Sequence, residues 1–420
     1  MLSFLYTFNN IMFLLFSALY LYQFVYMGIS LIFKLKPAPA AKRECRYAVM
    51  IAARNEETVI GNLIKSIKAQ TYPSHLIDIF VVADNCTDST AEIASSMGAR
   101  VFVRNNVALI GKGYALDFAF AKMKSEGIRT NYDGFFVFDA DNVLDKSYIY
   151  EMHKTFCQGF KAVTSYRNSK NFDDNWISAG YSLWFLREAQ YLNKPRMILG
   201  TTCAISGTGF LLSCELIEES DGWKQFLLTE DLEFNTKCAL EKTKIGYCEN
   251  AVFYDEQPTN FKQSWIQRMR WVRGTYQVLK RYGVKLFFSI FKGTPLARFD
   301  IFMSLAPGMF VSLISVLVNG FCLCFTLLQS VFSPFVFAEA VKSLLFTITN
   351  FYLVFLGSGA VTMITERKRI KASAFKRILY TFTFPFYVLT YVPISVTALF
   401  KRVQWTPIKH EINKSVEELS

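Results

Sequence analysis

Residues 11–33, IMFLLFSALYLYQFVYMGISLIF, are 23 consecutive uncharged and mostly apolar positions. At about 1.5 Å per residue, a helix of that length crosses a hydrocarbon core of roughly 30 Å. The segment therefore reads as a transmembrane helix. The ten residues before it carry no Lys or Arg, whereas Lys34, Lys36, Lys42 and Arg43 follow it. A cleaved signal peptide has its positive charge first and a shorter apolar core. The positive-inside bias thus predicts an outer N-terminus and a cytosolic following segment.

Three more uncharged stretches, 301–338, 343–365 and 378–400, lie toward the C-terminus. The first is longer than one span needs, so part of it is expected as loop or interface. The connector Glu366–Arg377 holds six basic residues and one acid, which marks it as cytosolic. Pro385 and Pro393 interrupt the last stretch and Lys401-Arg402 flank it, which leaves full crossing and re-entry both open. Lys285–Arg298 is short, basic and amphipathic, and is expected in the membrane interface. The expected organisation is an N-terminal anchor (1–36), a cytosolic domain (37–284), an interfacial segment (285–300), a membrane region of about three helices (301–400) and a tail (401–420). Such a chain is a multi-pass protein of the cell membrane.

The formal net charge of +12 raises nucleic acid, anionic lipid and phosphorylated substrates as partners. Its basic excess sits beside the apolar stretches, so topology signalling accounts for most of it and nucleic-acid binding is not needed. Nine Cys show no CxxC pairing or Cys/His cluster in sequence, which argues for reduced packing thiols and against a zinc site. His occurs only at 75, 153 and 410, so histidine-based catalysis has few candidates.

Between 45 and 170, short apolar runs alternate with helical spacing. Tyr47–Ala52, Ile77–Ala83, Arg100–Arg104 and Phe135–Phe138 read as buried strands, and Glu56–Gln70, Asp88–Met97 and Lys112–Lys124 as helices. That alternation predicts an α/β domain with a mostly parallel sheet and helices on both faces. The loops at the carboxyl ends of its strands hold Asn55-Glu56, Asp84-Asn85 and Asp139–Asp141, where an open α/β sheet binds its ligand. Beyond 170, Trp176–Leu192 and Ser264–Arg281 read as helices, and Ser206–Phe210 as a glycine-containing turn into a strand.

Asp139 and Asp141 offer two hard oxygen ligands at a strand end, as a divalent cation bridging to a diphosphate requires; a plain acidic loop has the same look. Lys112 lies between two glycines, so backbone can approach a ligand while the ammonium reaches a phosphate; the alternative is a lone exposed lysine. No Walker A pattern is present. Thr229-Glu230-Asp231 opens a helix with Thr229 as its N-cap, either as a catalytic acidic pair or simply as an acidic first turn. Gln267, Arg270 and Trp271 stand at i, i+3 and i+4 and so share one helix face. A basic interfacial helix is the competing reading, into which Arg268 and Arg273 fit.

Taken in order, ARNE (53–56), VVADNCTD (81–88), GKGYAL (111–116), DAD (139–141), TED (229–231) and QRMRW (267–271) resemble the membrane-embedded family 2 glycosyltransferases. That family includes the cellulose, chitin, hyaluronan and poly-N-acetylglucosamine synthases. The resemblance covers roughly residues 45–300 and implies a GT-A-like nucleotide-sugar-binding domain. It implies an inverting, metal-dependent transfer from a UDP-linked donor to a glycan or lipid-linked acceptor, in cell-surface polysaccharide synthesis. By the same resemblance Asp84 accepts a hydrogen bond from uracil and Glu56 lies near the nucleoside, although both also suit helix N-termini. Asp139 and Asp141 hold Mg2+ or Mn2+ at the diphosphate, with Asp141 the stronger candidate for direct coordination, and Lys112 and Arg270 bind the donor phosphates. Asp231, beside Glu230, is the general base; Trp271 stacks on the acceptor sugar and Gln267 hydrogen-bonds to it. Trp405, in VQWTPIKH, matches a tryptophan motif that similar enzymes carry after the catalytic domain. The chain departs from many relatives in having Ala83 where they have an Asp, and TED rather than GDD or GED.

Other classes compete. A non-processive transferase adding one sugar to a lipid carrier generally lacks QRMRW. A transporter is opposed by the scarcity of ionisable residues in the spans. A non-catalytic nucleotide-binding regulator would keep Asp84 and Lys112 without needing Asp231 or Arg270. The expected partners are the nucleotide-sugar donor, the acceptor and membrane lipids.

Overall fold

Four of the apolar runs lie side by side in a computed structural model that describes residues 2–293, 295–329, 334–401, 403 and 410–419. They are β1 (Tyr47–Ala53), β2 (Ile77–Asp84), β3 (Arg100–Arg104) and β4 (Gly134–Asp139), all mutually parallel where they pair. β5 (Val143–Leu144), β6 (Ala162–Ser169), β7 (Phe210–Ser213) and β8 (Ile245–Asp255) complete an eight-stranded sheet of order β3-β2-β1-β4-β7-β6-β8-β5. β7 runs antiparallel to β4 and β6, while β6 and β8 are parallel. The chain moves outward from β1 to β3 and then returns to lay β4 on the other side of β1. That reversal opens a crevice at the carboxyl ends of β1 and β4, where Ala52 pairs with Asp139.

The strands are apolar on both faces because both are covered. Met50, Phe135 and Val137 enter one core, whereas Val49, Ile51, Phe136 and Phe138 enter the other. At Gly209 (φ +66) the SGTGF turn needs glycine for space as well as backbone, since a Cβ there would lie 2.2 Å from the Phe253 ring.

The helices after β1 and β2 start later than periodicity suggests, at Ile60 and Thr90. Asn55 and Asn85 take left-handed backbone (φ 58 and 54), which turns the chain before either helix begins and keeps Glu56 in the loop. The Trp176 helix ends at Glu188 and widens into a π turn, Ala189–Asn193, before Lys194–Ile198. The Gln267 helix is longer than its expected 264–281, running Phe261–Ser289 with Asn260 as N-cap.

Among the described residues, four helical segments are long and apolar enough to cross a membrane: Leu2–Ile32, Pro295–Leu328, Pro334–Thr365 and Ala374–Phe400. One is N-terminal and three are C-terminal. Within the last segment Pro385 lies inside the helix and Thr390 separates Ala374–Leu389 from Tyr391–Phe400. The membrane-length helices are tied to the α/β domain through polar joints. Arg196 makes a buried two-point ion pair with Asp300 (2.7 and 2.9 Å), and Tyr22 and Tyr26 of the N-terminal helix donate to the same carboxylate.

Candidate active site

The ten residues singled out in the sequence, Glu56, Asp84, Lys112, Asp139, Asp141, Glu230, Asp231, Gln267, Arg270 and Trp271, line a single cavity of about 840 Å3. Strand ends bring the first group. β4 ends on Asp139, and Asn142 N–H closes a tight turn onto the Asp139 carbonyl at 3.1 Å. The turn leaves Asp141 only 4% exposed, accepting from Glu256 N–H at 2.8 Å and from Asn142 Nδ2 at 3.2 Å. Lys112 is no lone surface lysine: its ammonium pairs with Asp139 and donates to the Gly207 carbonyl at 2.7 Å.

Asp84 has a protein partner already. The β2–β3 register sets it opposite Arg104, and the two form a buried ion pair at 2.5 Å. Asn85 Nδ2 adds a hydrogen bond at 2.9 Å. Neither Asp84 nor Glu56 caps a helix: Asp84 precedes the left-handed Asn85, Glu56 follows the left-handed Asn55, and the helices begin only at Ile60 and Thr90.

The acidic pair at the start of the Glu230–Glu241 helix faces the strand ends. Burial pushes the Glu230 carboxyl up to about 7, with Asp231 beside it raising it further against Lys112 and Arg270. Burial also raises Asp231, while its bond from Leu232 N–H (2.8 Å) and the charges of Lys112, Arg167 and Arg270 oppose the rise. Thr229 does not cap the helix: it makes no side-chain cap bond, and its Oγ1 is buried without a partner among the described residues. Gly274 of the next helix explains the tight seat, since a Cβ there would meet Thr229 at 2.5 Å.

That next helix carries Gln267, Arg270 and Trp271. Trp271 is fixed edge-on by Tyr181 (5.7 Å, 84°) and Phe185 (6.2 Å, 72°). Gln267 Oε1 is buried and unpartnered among the described residues. Arg270 makes no ion pair among them, so its guanidinium is available to an anion in the cavity. Arg268 is not an interfacial side chain. It is fully buried, donates to Tyr387 O (3.1 Å) and Thr390 Oγ1 (2.5 Å), and lies over the Tyr387 ring at 4.6 Å. It thus supports the break between the last two helices. Arg273 also points to protein, donating to Ala398 O at 3.2 Å.

His410 was the residue that sequence reasoning left without a role. Its Nδ1 lies 3.0 Å from both Glu56 oxygens, and it lines the same cavity. Burial works against the charged ring, but the Asp141 charge and the Glu56 bond push it up to about 10. The imidazolium and Lys170 in turn hold Asp141 below the usual carboxylate range against the effect of its burial. The segment is pinned by Glu411 and Ile412 N–H bonds to Glu256 at 2.9–3.1 Å. The available signal was position: His410 closes the VQWTPIKH segment, whose Trp405 lies outside the described residues. Arg167 and Asp255 form another unforeseen pair at the site, with burial pushing Asp255 up to about 6 against the Arg167 charge.

A Cys/His cluster absent from the sequence spacing exists in space. Cys45, His153 and Cys157 hold their ligand atoms within 4.8 Å of one another. It lies at the amino end of β1, remote from the acidic cavity, with Tyr47 hydroxyl 2.8 Å from His153 Nδ1.

A family model described as glycosyltransferase-like family 2 matches residues 45–274. A beta-monoglucosyldiacylglycerol synthase of Synechocystis is 28% identical over 235 residues, covering 54% of this chain and 47% of its own. A poly-beta-1,6-N-acetyl-D-glucosamine synthase of Staphylococcus epidermidis is 24% identical over 244 residues, covering 55% of each. The chain thus spans about half the length of the curated relatives it matches. In structure it is similar to the mannosyltransferase from Pyrobaculum calidifontis solved with GDP-Man and Mn2+, with a TM-score of 0.56 at 16% identity, covering 94% of this chain and 99% of that one. The likeness is one of fold: a GT-A-like α/β domain joined to apolar helices.

Proposed function

The chain belongs to glycosyltransferase-like family 2, and from that premise we propose that it transfers a sugar, with inversion, from a UDP-linked donor to a hydroxyl of a glycan or lipid acceptor. The observation that carries this reading is the convergence in one cavity of the strand-end carboxylates, the buried Glu230-Asp231 pair and two cations, Lys112 and Arg270.

Each residue then has work to do. Glu56 and Asp84 face the nucleoside, and Lys112 and Arg270 hold the diphosphate. Asp231 accepts the proton of the attacking hydroxyl, and its burial-raised basicity suits that task. Glu230, raised to about 7, stays partly protonated near neutrality and spares Asp231 a second full negative charge. Trp271 and the unpartnered Gln267 Oε1 receive the acceptor.

The donor set fits a hard divalent ion: Asp139 and Asp141 offer carboxylate oxygens, as Mg2+ or Mn2+ prefers. Among the described residues no group of three His, Cys, Asp or Glu ligand atoms gathers at these carboxylates, so the remaining oxygens would come from the diphosphate and water. When bound, the ion supplies Lewis-acid stabilisation of the leaving diphosphate. The basic connector at 366–377 and the charges after residue 33 favour a multi-pass arrangement in the cell membrane with the site facing the cytosol.

The test is Asp231→Asn in full-length protein supplied with a panel of nucleotide sugars. Loss of roughly 10²–10⁴-fold in turnover with donor binding retained is expected. Unchanged turnover would overturn the base assignment, and donor binding without turnover in the wild type would favour a non-catalytic regulator.

A further inference from the structure

Resting on the transferase reading, we infer that the acceptor is a membrane lipid: its hydroxyl sits at Asp231 while its hydrocarbon chain lies between the apolar helices in the deeper half of the same cavity. The cavity does not stop at the carboxylates. It continues past Trp184 and Phe185 and is lined by Met12, Phe16 and Tyr20 of the N-terminal helix, four residues apart. Val311, Ser315 and Asn319 face it from the Pro307–Gln329 helix, and Ile348, Phe351 and Phe355 from Pro334–Thr365, again three or four apart. Each set is one helical face, so three membrane-length helices turn a stripe toward a space continuous with the acidic site. From Ala306 to Asn319 that space follows about 20 Å of helix.

Two features favour a hydrocarbon over a sugar chain. The hydroxyls along the deep half are directed to their own helices: Ser312 donates to Gly308 O (2.7 Å), Thr347 to Ser343 O (3.1 Å) and Ser358 to Phe355 O (3.0 Å). Those hydroxyl donors are already used and the rest of the lining there is largely apolar, so the wall offers a glycan few free donors, whereas methylenes lose nothing. Toward the far end the three helices are also tied together by buried polar side chains. Asn9 Nδ2 bonds Asn319 Oδ1 (3.0 Å) and Ser343 Oγ (2.9 Å), Asn319 Nδ2 returns a bond to Asn9 Oδ1 (2.8 Å), and all three residues are at most 3% exposed. A clasp between these helices suits a tail that stops beside it better than a growing polymer that must pass it.

In the reaction so placed, the lipid hydroxyl oxygen bonds to the anomeric carbon and its proton passes to Asp231. The bond from that carbon to the phosphate oxygen breaks, and the nucleoside diphosphate departs with the electron pair.

The experiment uses full-length protein in phospholipid nanodiscs containing a long-chain alkylglycerol with a diazirine near the end of its chain, plus labelled nucleotide sugars. Label is expected in the organic extract as a glycolipid, and photolysis is expected to modify residues such as Met12, Ser315 or Phe351. Ser315→Trp, which fills the deep half, is expected to cut organic-phase label by about tenfold, as loss of a few buried methylenes would. Label in a water-soluble polymer, together with crosslinks confined to outward residues such as Leu14 and Leu317 (64% and 70% exposed), would overturn the inference and leave the transferase reading standing. No nucleotide release with any donor would overturn the transferase reading, and this inference with it.

Discussion

Gly274→Ala is a substitution for which helix propensity and packing give opposite answers. Gly274 lies inside the Phe261–Ser289 helix, three residues after Trp271, where alanine alone would favour the helix by about 1 kcal/mol. Its Cβ, however, would lie 2.5 Å from Thr229 Oγ1, 2.6 Å from Thr229 Cγ2 and 2.8 Å from Thr229 N. The side-chain contacts can rotate away, but the backbone contact cannot. The 2.8 Å approach falls about 0.6 Å short of the 3.4 Å of ordinary contact, so the turn that carries Glu230 and Asp231 must move by about that much. Overpacking of this kind costs about 1–3 kcal/mol, which the propensity gain partly offsets, so net stability should fall by no more than about 2 kcal/mol. Turnover is far more sensitive, because a 1 Å misplacement of a reacting group costs about 10²-fold. We expect kcat to fall by about 10- to 100-fold with a smaller change in donor KM, since Asp139, Asp141 and Lys112 are carried by other elements than the shifted turn. Adding Thr229→Ala removes the two side-chain contacts and should restore part of the loss, which a double-mutant cycle measures. Wild-type turnover in Gly274→Ala, at an unchanged melting temperature, would refute the coupling between this helix and the acidic turn.

The Glu230 carboxyl is raised from 4.5 to about 7, so the folded state holds its proton over a range where the unfolded chain has released it. Stability from this group is greatest below about pH 4.5 and declines as pH rises toward about 7; Glu230→Gln should flatten that stretch of a melting-temperature profile. Chelation should abolish transfer and Mn2+ or Mg2+ restore it, while Asp141→Ala should keep rescued activity about a hundredfold or more below wild type, measured by UDP release. Arg268→Ala should destabilise the protein by about 2–4 kcal/mol through lost buried bonds and ring contacts. Arg273→Ala, which loses one bond to Ala398 O, should cost less; equal thermal shifts would count against the inward placement of Arg268.

Much of the site was legible because its residues sit at boundaries that sequence marks well. A buried strand must end where charge begins, so Phe135–Phe138 followed by Asp139 announced β4 and its carboxyl end. Helical spacing put Gln267, Arg270 and Trp271 on one face, and the apolar stretches had the length of membrane spans. What sequence could not carry was the direction in which a side chain points when several environments compete. Arg268 and Arg270 are two residues apart on a basic helix, and only the packed Tyr387 and Thr390 turn the first inward while the second faces the cavity. Thr229 looked like a cap, but Gly274 brings a second helix so close that the cap bond is not made. His410 meets Glu56 across 354 positions, and Cys45 joins His153 and Cys157 only once β1 has docked. Periodicity records whether a residue is buried, element by element. Which distant element buries it, and whether the space between three apolar helices is filled or left as a pocket, is decided only by how those surfaces fit together in three dimensions.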